Sequence, residues 1–231
     1  MLVKAILFDC DGTLVDSEYA HYLSWKKALE HVGGDFSLEE YYPYVGKSAD
    51  INASLLAKRV GKDCSHTILQ TKSAHYKDLC IEKLPSIDAT VDFLRLLGAE
   101  KQKLNIKLGV CSAAGKKEIL SHLHHLGVLP LLDIVLSGQE DLKEYEDPEG
   151  VNKPKPYIYL EALKQLAVAA KECIVIEDSA SGIASAISAG CFAIAVPNDY
   201  TRTQDLSGAN LRIDSFLGMD ISSFFRIVSG I

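Results

Sequence analysis

With 231 residues, of which 48% are hydrophobic and 24% charged, the chain is long enough to bury a sizeable apolar core. Its formal net charge of −7 argues against nucleic-acid partners, because binding to phosphate backbones requires a basic surface. No apolar run approaches the ~20 residues of a membrane span, and the first residues lack a secretory signal pattern, so we expect a cytoplasmic protein without membrane partners.

Short apolar runs predict buried strands along the chain. In chain order these runs cover residues 3–8, 106–111, 133–137, 173–177 and 191–196. Helical patterns follow in the intervals, at residues 88–97, 116–126, 157–166 and 181–189. The alternation of strands with helices predicts an α/β fold with a doubly wound parallel sheet.

The interval between the first two predicted strands, residues 9–105, is far longer than one crossover helix requires. Its additional helical patterns occur without a convincing strand and lie at residues 18–31, 49–60 and 66–81. Pro85 marks the point where the chain returns to the sheet. We therefore expect a core domain formed by residues 1–15 and 87–231, with an all-helical cap domain inserted at residues 16–86.

Acidic side chains lie at the ends of two predicted strands. The stretch "FDCDGT" places Asp9 and Asp11 after the first strand. The stretch "IEDSASG" places Glu177 and Asp178 at the end of the strand predicted at 173–177. In open α/β sheets, ligands bind outside the carboxyl ends of the strands, so we expect these carboxylates at one edge of the sheet.

Residues that could bind an anion lie after the second predicted strand and before Pro154. Ser112 and Ala113 come after the second strand and ahead of a predicted helix, whose free N–H groups could hold an anion. Lys153 precedes Pro154, and proline pushes the residue before it toward extended geometry, which would give the lysine a fixed direction. These residues predict a phosphate-binding site beside the acids.

The combination of acids, hydroxyl and lysine suits phosphoryl transfer, in which catalysis consists mostly of positioning and charge stabilisation. Asp9 could act as the nucleophile toward phosphorus, and Asp11 as the general acid and base. Because a phosphate dianion would repel Asp9, a cation must lie between them, and Mg²⁺ prefers oxygen ligands. The expected ligands are the side chains of Asp9 and Asp178 and the backbone carbonyl of Asp11.

The motifs "DCDGT", "NKPKP" and "IEDSASG", with the Ser112 strand end, resemble those of the haloacid dehalogenase-like hydrolases. The opening "FDCDGTLVDSE" and the helical insert resemble the subgroup of β-phosphoglucomutase. This resemblance covers essentially the whole chain and implies a nucleophilic Asp9 that forms an aspartyl-phosphate, with Mg²⁺ bound by the motif acids. It implies that Glu177 contacts either the metal or only its water ligands.

Three residues of the predicted cap resemble positions on the cap of β-phosphoglucomutase. His21 and Trp25 match a histidine and a tryptophan of its first cap helix, and Lys72 is similar to its cap lysine. The resemblance implies that these side chains bind substrate. Core packing is the alternative interpretation of Trp25.

The same region departs from the mutase at two positions. Ala49 stands where the mutase has an arginine that holds the phosphate not being transferred, and Val45 stands where it has a lysine. Lys47, which we assign to substrate binding, or Arg59 could reach this region, although a point charge replaces a bidentate arginine poorly.

We therefore predict a monomeric, Mg²⁺-dependent phosphatase of small phosphorylated metabolites, foremost sugar phosphates. A phosphosugar mutase and a noncatalytic protein that binds phosphorylated ligands are the alternatives.

Two polar features stand outside these motifs. The histidines of "HLHHLG", residues 122–127, fall on the helix predicted after Ser112, and a solvated helix face explains them better than a metal site. The acidic segment 140–153 is either an ordered specificity loop or a mobile stretch, and the sequence leaves both interpretations open.

Overall fold

The computed structural model describes residues 2–81 and 84–230, and the chain divides into two compact units. One unit combines Met1–Val15 with Ser86–Ile231, and the other is Asp16–Pro85. The range 16–86 predicted for the cap includes residues 82 and 83, which lie outside the described residues. Among the helices in the described ranges, none has the length and apolar character needed to cross a bilayer.

The described residues form strands β1 to β6 and helices α1 to α9, besides short 3₁₀ turns. In chain order they are β1 (Ala5–Phe8), α1 (Glu18–His31), α2 (Leu38–Tyr41), α3 (Ala49–Val60), α4 (Ser65–Ile81), α5 (Asp88–Leu104), β2 (Lys107–Ser112), α6 (Lys116–His125), β3 (Ile134–Ser137), α7 (Tyr157–Leu166), β4 (Cys173–Glu177), α8 (Ala180–Ser188), β5 (Phe192–Ala195), β6 (Leu211–Arg212) and α9 (Ile221–Ser229).

The first unit is built on a parallel sheet with strand order β3-β2-β1-β4-β5-β6. Strand β1 lies in the middle and pairs with β2 on one side and β4 on the other. All residues of β1 and β4 are buried, which explains why both strands are continuous apolar runs in the sequence. The predicted α/β fold with a doubly wound parallel sheet is confirmed.

Helix α5 continues past residue 97, where the sequence pattern predicted its end. Gly98 lies inside the helix and packs against a neighbouring side chain. A Cβ atom at this position would lie 2.9 Å from Leu131 Cδ1, so glycine permits close packing here. The helix ends instead at Leu104, and the next residue, Asn105, caps it with a left-handed φ of 52°.

The C-terminal part of the first unit contains two elements that the sequence patterns did not predict, β6 and α9. Strand β6 has two residues, too few for a recognisable alternation. Helix α9 is capped by Asp220, whose side chain accepts a hydrogen bond from Ser223 N at 2.8 Å. It buries Phe224, which packs with Phe93 and Phe216 in an aromatic cluster.

The regular elements of the second unit, among its described residues, are helices, and they include α1 to α4. Helices α1 and α3 have the predicted bounds, and α4 begins one residue before the predicted position. Helix α2 was not predicted and begins with a capping box, in which Ser37 and Glu40 bond each other's backbone N–H groups. Helix α3 is preceded by its cap Ser48, which accepts a bond from Ile51 N, and is followed by Gly61, which has a φ of 66°.

The chain leaves and re-enters the first unit at adjacent points. Val15 and Ser86 form an antiparallel bridge. Ile87 N donates a hydrogen bond to Leu14 O at 2.9 Å. The two ends of the inserted segment are therefore held side by side by backbone hydrogen bonds.

Candidate active site

The candidate active site lies at the carboxyl ends of three neighbouring strands. Asp9 follows β1 directly, Ser112 ends β2, and Glu177 ends β4 with Asp178 next in the chain. Phe8 is in register with Val110 of β2 and Ile176 of β4. Because the strands are parallel, their ends deliver these side chains to one edge of the sheet.

Lys153 is held in this site by three oxygen acceptors. Its Nζ donates to Asp9 Oδ1 at 2.6 Å, Glu177 Oε1 at 2.7 Å and Cys111 O at 2.8 Å. Burial alone would lower the pKa of Lys153, but the charges of Asp9 and Glu177 and the hydrogen bonds to them hold this pKa above its usual value. The ammonium therefore stays protonated and fixed in direction, as the position before Pro154 led us to expect.

Glu177 is 1% exposed and is engaged from several sides. Besides the bond from Lys153, Oε1 accepts a bond from the Tyr159 hydroxyl at 2.5 Å, and Oε2 receives a long bond from Ser179 Oγ at 3.5 Å. A Cβ atom at Gly182 would overlap the carboxylate, so the glycine of "SASG" makes room for it. Sequence reasoning missed Tyr159, although a tyrosine on a buried helix face signals a hydroxyl that needs a partner.

Asp9 is 6% exposed, and the groups around it have opposing effects on its pKa. Burial raises the pKa of Asp9 above its usual value; Lys153 acts in the opposite direction, and the nearby charges of Glu177 and Asp11 add to the rise. The carboxylate thus has one cation beside it and more negative charge around it than that cation balances.

Asp11 and Ser112 are joined by a hydrogen bond. The Ser112 hydroxyl donates to Asp11 Oδ2 at 3.1 Å and accepts from Ala114 N at 3.0 Å. Asp11 is half-buried, whereas Ser112 is 1% exposed. The structure therefore places the candidate acid–base residue beside the candidate phosphate-binding segment 112–113.

The start of α6 differs from the open anion site that its position suggested. Lys116 N donates to Glu140 Oε2 at 2.9 Å, so a carboxylate of the protein already bonds a first-turn N–H group. Lys116 Nζ also pairs with Asp141 Oδ2 at 2.6 Å. The beginning of the acidic segment 140–153 is thus bonded to α6.

Three buried carboxylates could hold a metal ion. Asp9, Glu177 and Asp178 each bring one oxygen within 4.8 Å of the others. Lys153 offers a single positive charge to this group, and carboxylate oxygens are the ligands that Mg²⁺ prefers. A divalent cation would balance the buried negative charge, so the donor set fits Mg²⁺.

Three of the substrate-binding candidates come together inside the second unit. Lys72 Nζ lies 5.4 Å from the centroid of the Trp25 ring and 4.3 Å from that of Tyr76. The His21 ring stacks on Tyr76 with 4.1 Å between centroids. Trp25 and Lys72 are both buried, and a cation over two aromatic rings is a favourable arrangement. Trp25 is therefore packed in the interior of the unit, as the alternative interpretation held, and it also contacts Lys72.

The two cationic alternatives on the second unit differ in their contacts. Arg59 Nη2 donates to Glu40 Oε1 at 2.6 Å and to Asp35 O at 3.3 Å. Lys47 is exposed, and Ala49 is the first residue of α3. Arg59 is thus engaged by residues of its own unit, and of the two cations Lys47 is the better candidate for binding substrate.

The expectation of a solvated helix face at residues 122–127 is wrong for His122. This side chain is 8% exposed, and within the described residues its Nε2 has no hydrogen-bond partner. Burial lowers the pKa of His122, and Asp11 opposes that effect. The helical pattern placed the histidine on α6, but its buried orientation follows from the packing of that helix.

The chain is similar to known proteins over most of its length. The family model described as haloacid dehalogenase-like hydrolase matches residues 6–196. Validoxylamine A 7′-phosphate phosphatase from Streptomyces hygroscopicus is 28% identical over 206 residues, covering 86% of this chain and 88% of the relative. Phosphorylated carbohydrates phosphatase from Thermotoga maritima is 26% identical over 201 residues, covering 81% and 82%. The structure of β-phosphoglucomutase from Clostridium difficile aligns with a TM-score of 0.78 at 26% identity, covering 99% of this chain and 98% of that one.

Proposed function

Since the chain belongs to the haloacid dehalogenase-like hydrolase family, we propose that it is a Mg²⁺-dependent phosphatase of small phosphorylated metabolites, foremost sugar phosphates. The observation that carries this proposal is the buried pair of Asp9 and Lys153, with Asp11 bonded to Ser112. The names of the two phosphatases reported above support the choice of substrate class.

In the first step, an Asp9 oxygen attacks the phosphorus atom of the substrate, and the bond from phosphorus to the leaving oxygen breaks. Asp11 gives its proton to that oxygen, which leaves as a hydroxyl group, and the phosphoryl group stays on Asp9 as an aspartyl-phosphate. In the second step, Asp11 takes a proton from water as the water attacks phosphorus. Inorganic phosphate leaves, and the Asp9 carboxylate is restored.

The residues around Asp9 hold it in position and balance charge. Lys153 favours the ionised form of Asp9 and fixes the direction of its carboxylate. We assign the hydroxyl of Ser112 and the backbone N–H of Ala113 to binding the phosphoryl oxygens. Asp11 is close enough to Ser112 to reach a substrate oxygen held there.

Mg²⁺ would be held by the side chains of Asp9 and Asp178 and by the backbone carbonyl of Asp11, with Glu177 in direct contact or bonded to the ion's water ligands. When bound, the ion would neutralise negative charge on the phosphate. The cluster of three carboxylates around one lysine supports this assignment.

We further propose that the unit Asp16–Pro85 is a cap domain that selects the substrate. His21, Trp25, Lys47 and Lys72 are its candidate contacts, and all four lie in that unit. We also propose that the protein is a monomer and that it is located in the cytoplasm.

A mutase of phosphosugars is the second candidate, because the aligned Clostridium difficile structure is that of β-phosphoglucomutase. Two observations weigh against it: Ala49 has no charge with which to hold a second phosphate, and Arg59 is engaged by Glu40. A noncatalytic protein would have no use for the paired Asp9 and Asp11.

The experiment that tests the proposal is phosphate release by the purified protein from a panel of sugar phosphates, with Mg²⁺ and with EDTA. We expect release that requires Mg²⁺ and is fastest for one class of sugar phosphate. Binding of these compounds without phosphate release or isomerisation would instead identify a noncatalytic protein.

A further inference from the structure

Asn198 is a polar residue at the same edge of the sheet that the proposed mechanism does not use. It follows β5, and its amide orientation is fixed by its own turn. Oδ1 accepts hydrogen bonds from Tyr200 N at 2.8 Å and Thr201 N at 3.2 Å. Because both backbone groups are donors, the oxygen must face the turn and the NH₂ group must face away from it.

The NH₂ group of Asn198 bonds two other loops of the site. Nδ2 donates to Asp178 Oδ2 at 2.8 Å and to Gly12 O at 3.0 Å. One side chain thus connects the segments that follow β1, β4 and β5. Both amide hydrogens and the amide oxygen are used.

Gly12 shows how closely these groups approach one another. A Cβ atom at this position would lie 2.5 Å from Asp178 Oδ2 and 2.8 Å from Asn198 Nδ2. Its φ of 80° also lies in the left-handed region that favours glycine. The glycine of "DCDGT" therefore allows Asn198 and Asp178 to meet against the loop after β1.

We propose that Asn198 is a positioning residue for the metal site, which fixes the Asp178 carboxylate in the orientation that binds Mg²⁺. This inference rests on the proposed function insofar as Asp178 is taken as a metal ligand. The amide is suited to the task because it donates a hydrogen bond without adding positive charge. A lysine or arginine at this place would also orient the carboxylate, but its charge would compete with the cation.

The test measures metal binding directly, without substrate. Mn²⁺ serves as the probe, followed by electron paramagnetic resonance of the free ion, and Mg²⁺ is measured by competition. For Asn198→Ala in the full chain, we expect Mn²⁺ and Mg²⁺ affinity to fall by about 10- to 100-fold, the usual effect of removing a partner of a metal ligand. We also expect excess Mg²⁺ to restore much of the phosphatase activity, which it would not do for a misfolded variant.

Two further variants separate this role from a structural one. Asn198→Ser keeps a side-chain oxygen that can accept from the turn N–H groups, but its side chain is too short to reach Asp178. We expect the same loss of affinity as in Asn198→Ala, with a higher thermal stability than Asn198→Ala because the turn keeps an acceptor. Asn210→Ala is the matched control, because Asn210 Oδ1 bonds Ala193 N within the sheet instead of a site residue, and it should bind metal normally.

Wild-type Mn²⁺ affinity in both Asn198 variants would overturn the proposal while leaving the proposed phosphatase intact. Loss of affinity in Asn210→Ala equal to that in Asn198→Ala would also overturn it. If the unaltered protein bound neither metal, the assignment of Mg²⁺ to the site would fail, and the role of Asn198 would fail with it.

Discussion

Tyr159 donates its hydroxyl to Glu177 at 2.5 Å, and both side chains are at most 1% exposed. Glu177 in turn accepts from Lys153, and Lys153 donates to Asp9. The Tyr159 ring lies 5.3 Å from Lys153 Nζ, so this tyrosine contacts the lysine directly and supports it through Glu177. A residue of α7 thereby helps to fix the candidate nucleophile at the end of β1.

For Tyr159→Phe, we expect a loss of about 1–3 kcal/mol in the free energy of unfolding, because the variant keeps the ring but leaves a buried carboxylate without one donor. Urea unfolding followed by circular dichroism measures the change. Tyr157→Phe is the matched control: its hydroxyl bonds Asp147 at 3.0 Å in a less buried place, and its loss should cost less. Equal losses in the two variants would contradict the special role of Tyr159.

For Asp9→Asn, we expect phosphate release to fall by at least about a thousandfold, equivalent to about 4 kcal/mol of barrier, because an amide cannot replace the carboxylate nucleophile. Phosphate release is measured under single-turnover and steady-state conditions, and circular dichroism checks the fold. Asp92→Asn, which changes an exposed acid on α5, should keep full activity. Turnover by a purified Asp9→Asn protein would show that another group attacks phosphorus.

For Asp178→Ala, we expect the Mg²⁺ concentration needed for half-maximal activity to rise by at least about tenfold, because a carboxylate charge competes with the ion's hydration shell. A Mg²⁺ titration of phosphate release measures it, with Asp205→Ala as an exposed control. Normal activity with an unchanged Mg²⁺ requirement would remove Asp178 from the ligand set.

With β-glucose 1-phosphate and a bisphosphate primer, we expect free phosphate to be the main product and little glucose 6-phosphate to form. A bidentate contact to the second phosphate is absent at Ala49; each such charge-assisted bond contributes about 1.5–3 kcal/mol, so a bisphosphate would dissociate at least about tenfold more readily. A coupled dehydrogenase assay and a phosphate assay are run in parallel. Isomerisation without phosphate release would identify a mutase and point to Lys47 or Lys72 as the missing clamp.

The pH dependence of stability should reflect His122. Its pKa is lowered in the folded state, whereas the unfolded chain binds a proton near pH 6.5, so the unfolded state takes up more protons as the pH falls below that value. The free energy of unfolding should therefore decrease on acidification, by up to about 1.4 kcal/mol per pH unit from this group. Urea unfolding at pH 8 and pH 5.5 measures the effect. His122→Leu should show a smaller decrease than the unaltered protein, and an identical decrease would exclude His122 as its source.

The sequence was informative where a residue's role depends on its place at a strand end. Asp9 and Asp178 could be assigned to one edge because strand-end motifs and parallel topology together determine their location. Lys153 lies well past the end of β3 and was assigned from its position before Pro154 and from the motif "NKPKP". Tyr159 and Asn198 could not, since each acts through a partner distant in sequence. An isolated tyrosine in a helix or an asparagine in a turn has many ordinary explanations.

The same limit applied to the fold. Strand β4, which is buried throughout, was predicted to the residue, because an apolar run depends on burial alone. Helix α5 was predicted to end at residue 97, whereas it continues through Gly98, which packs against Leu131 in a tertiary contact that the sequence pattern does not show. The bond from Lys116 N to Glu140 depends on tertiary structure in the same way.

The bridge between Val15 and Ser86 allows the inserted segment to be exchanged as one piece. Because the chain departs and returns at neighbouring backbone positions, segments of very different length can be spliced between these two residues without altering the register of β1 with β2 or β4. If the inserted segment selects the substrate, as we propose, replacing this one contiguous stretch would change substrate preference and leave the residues at the strand ends unchanged.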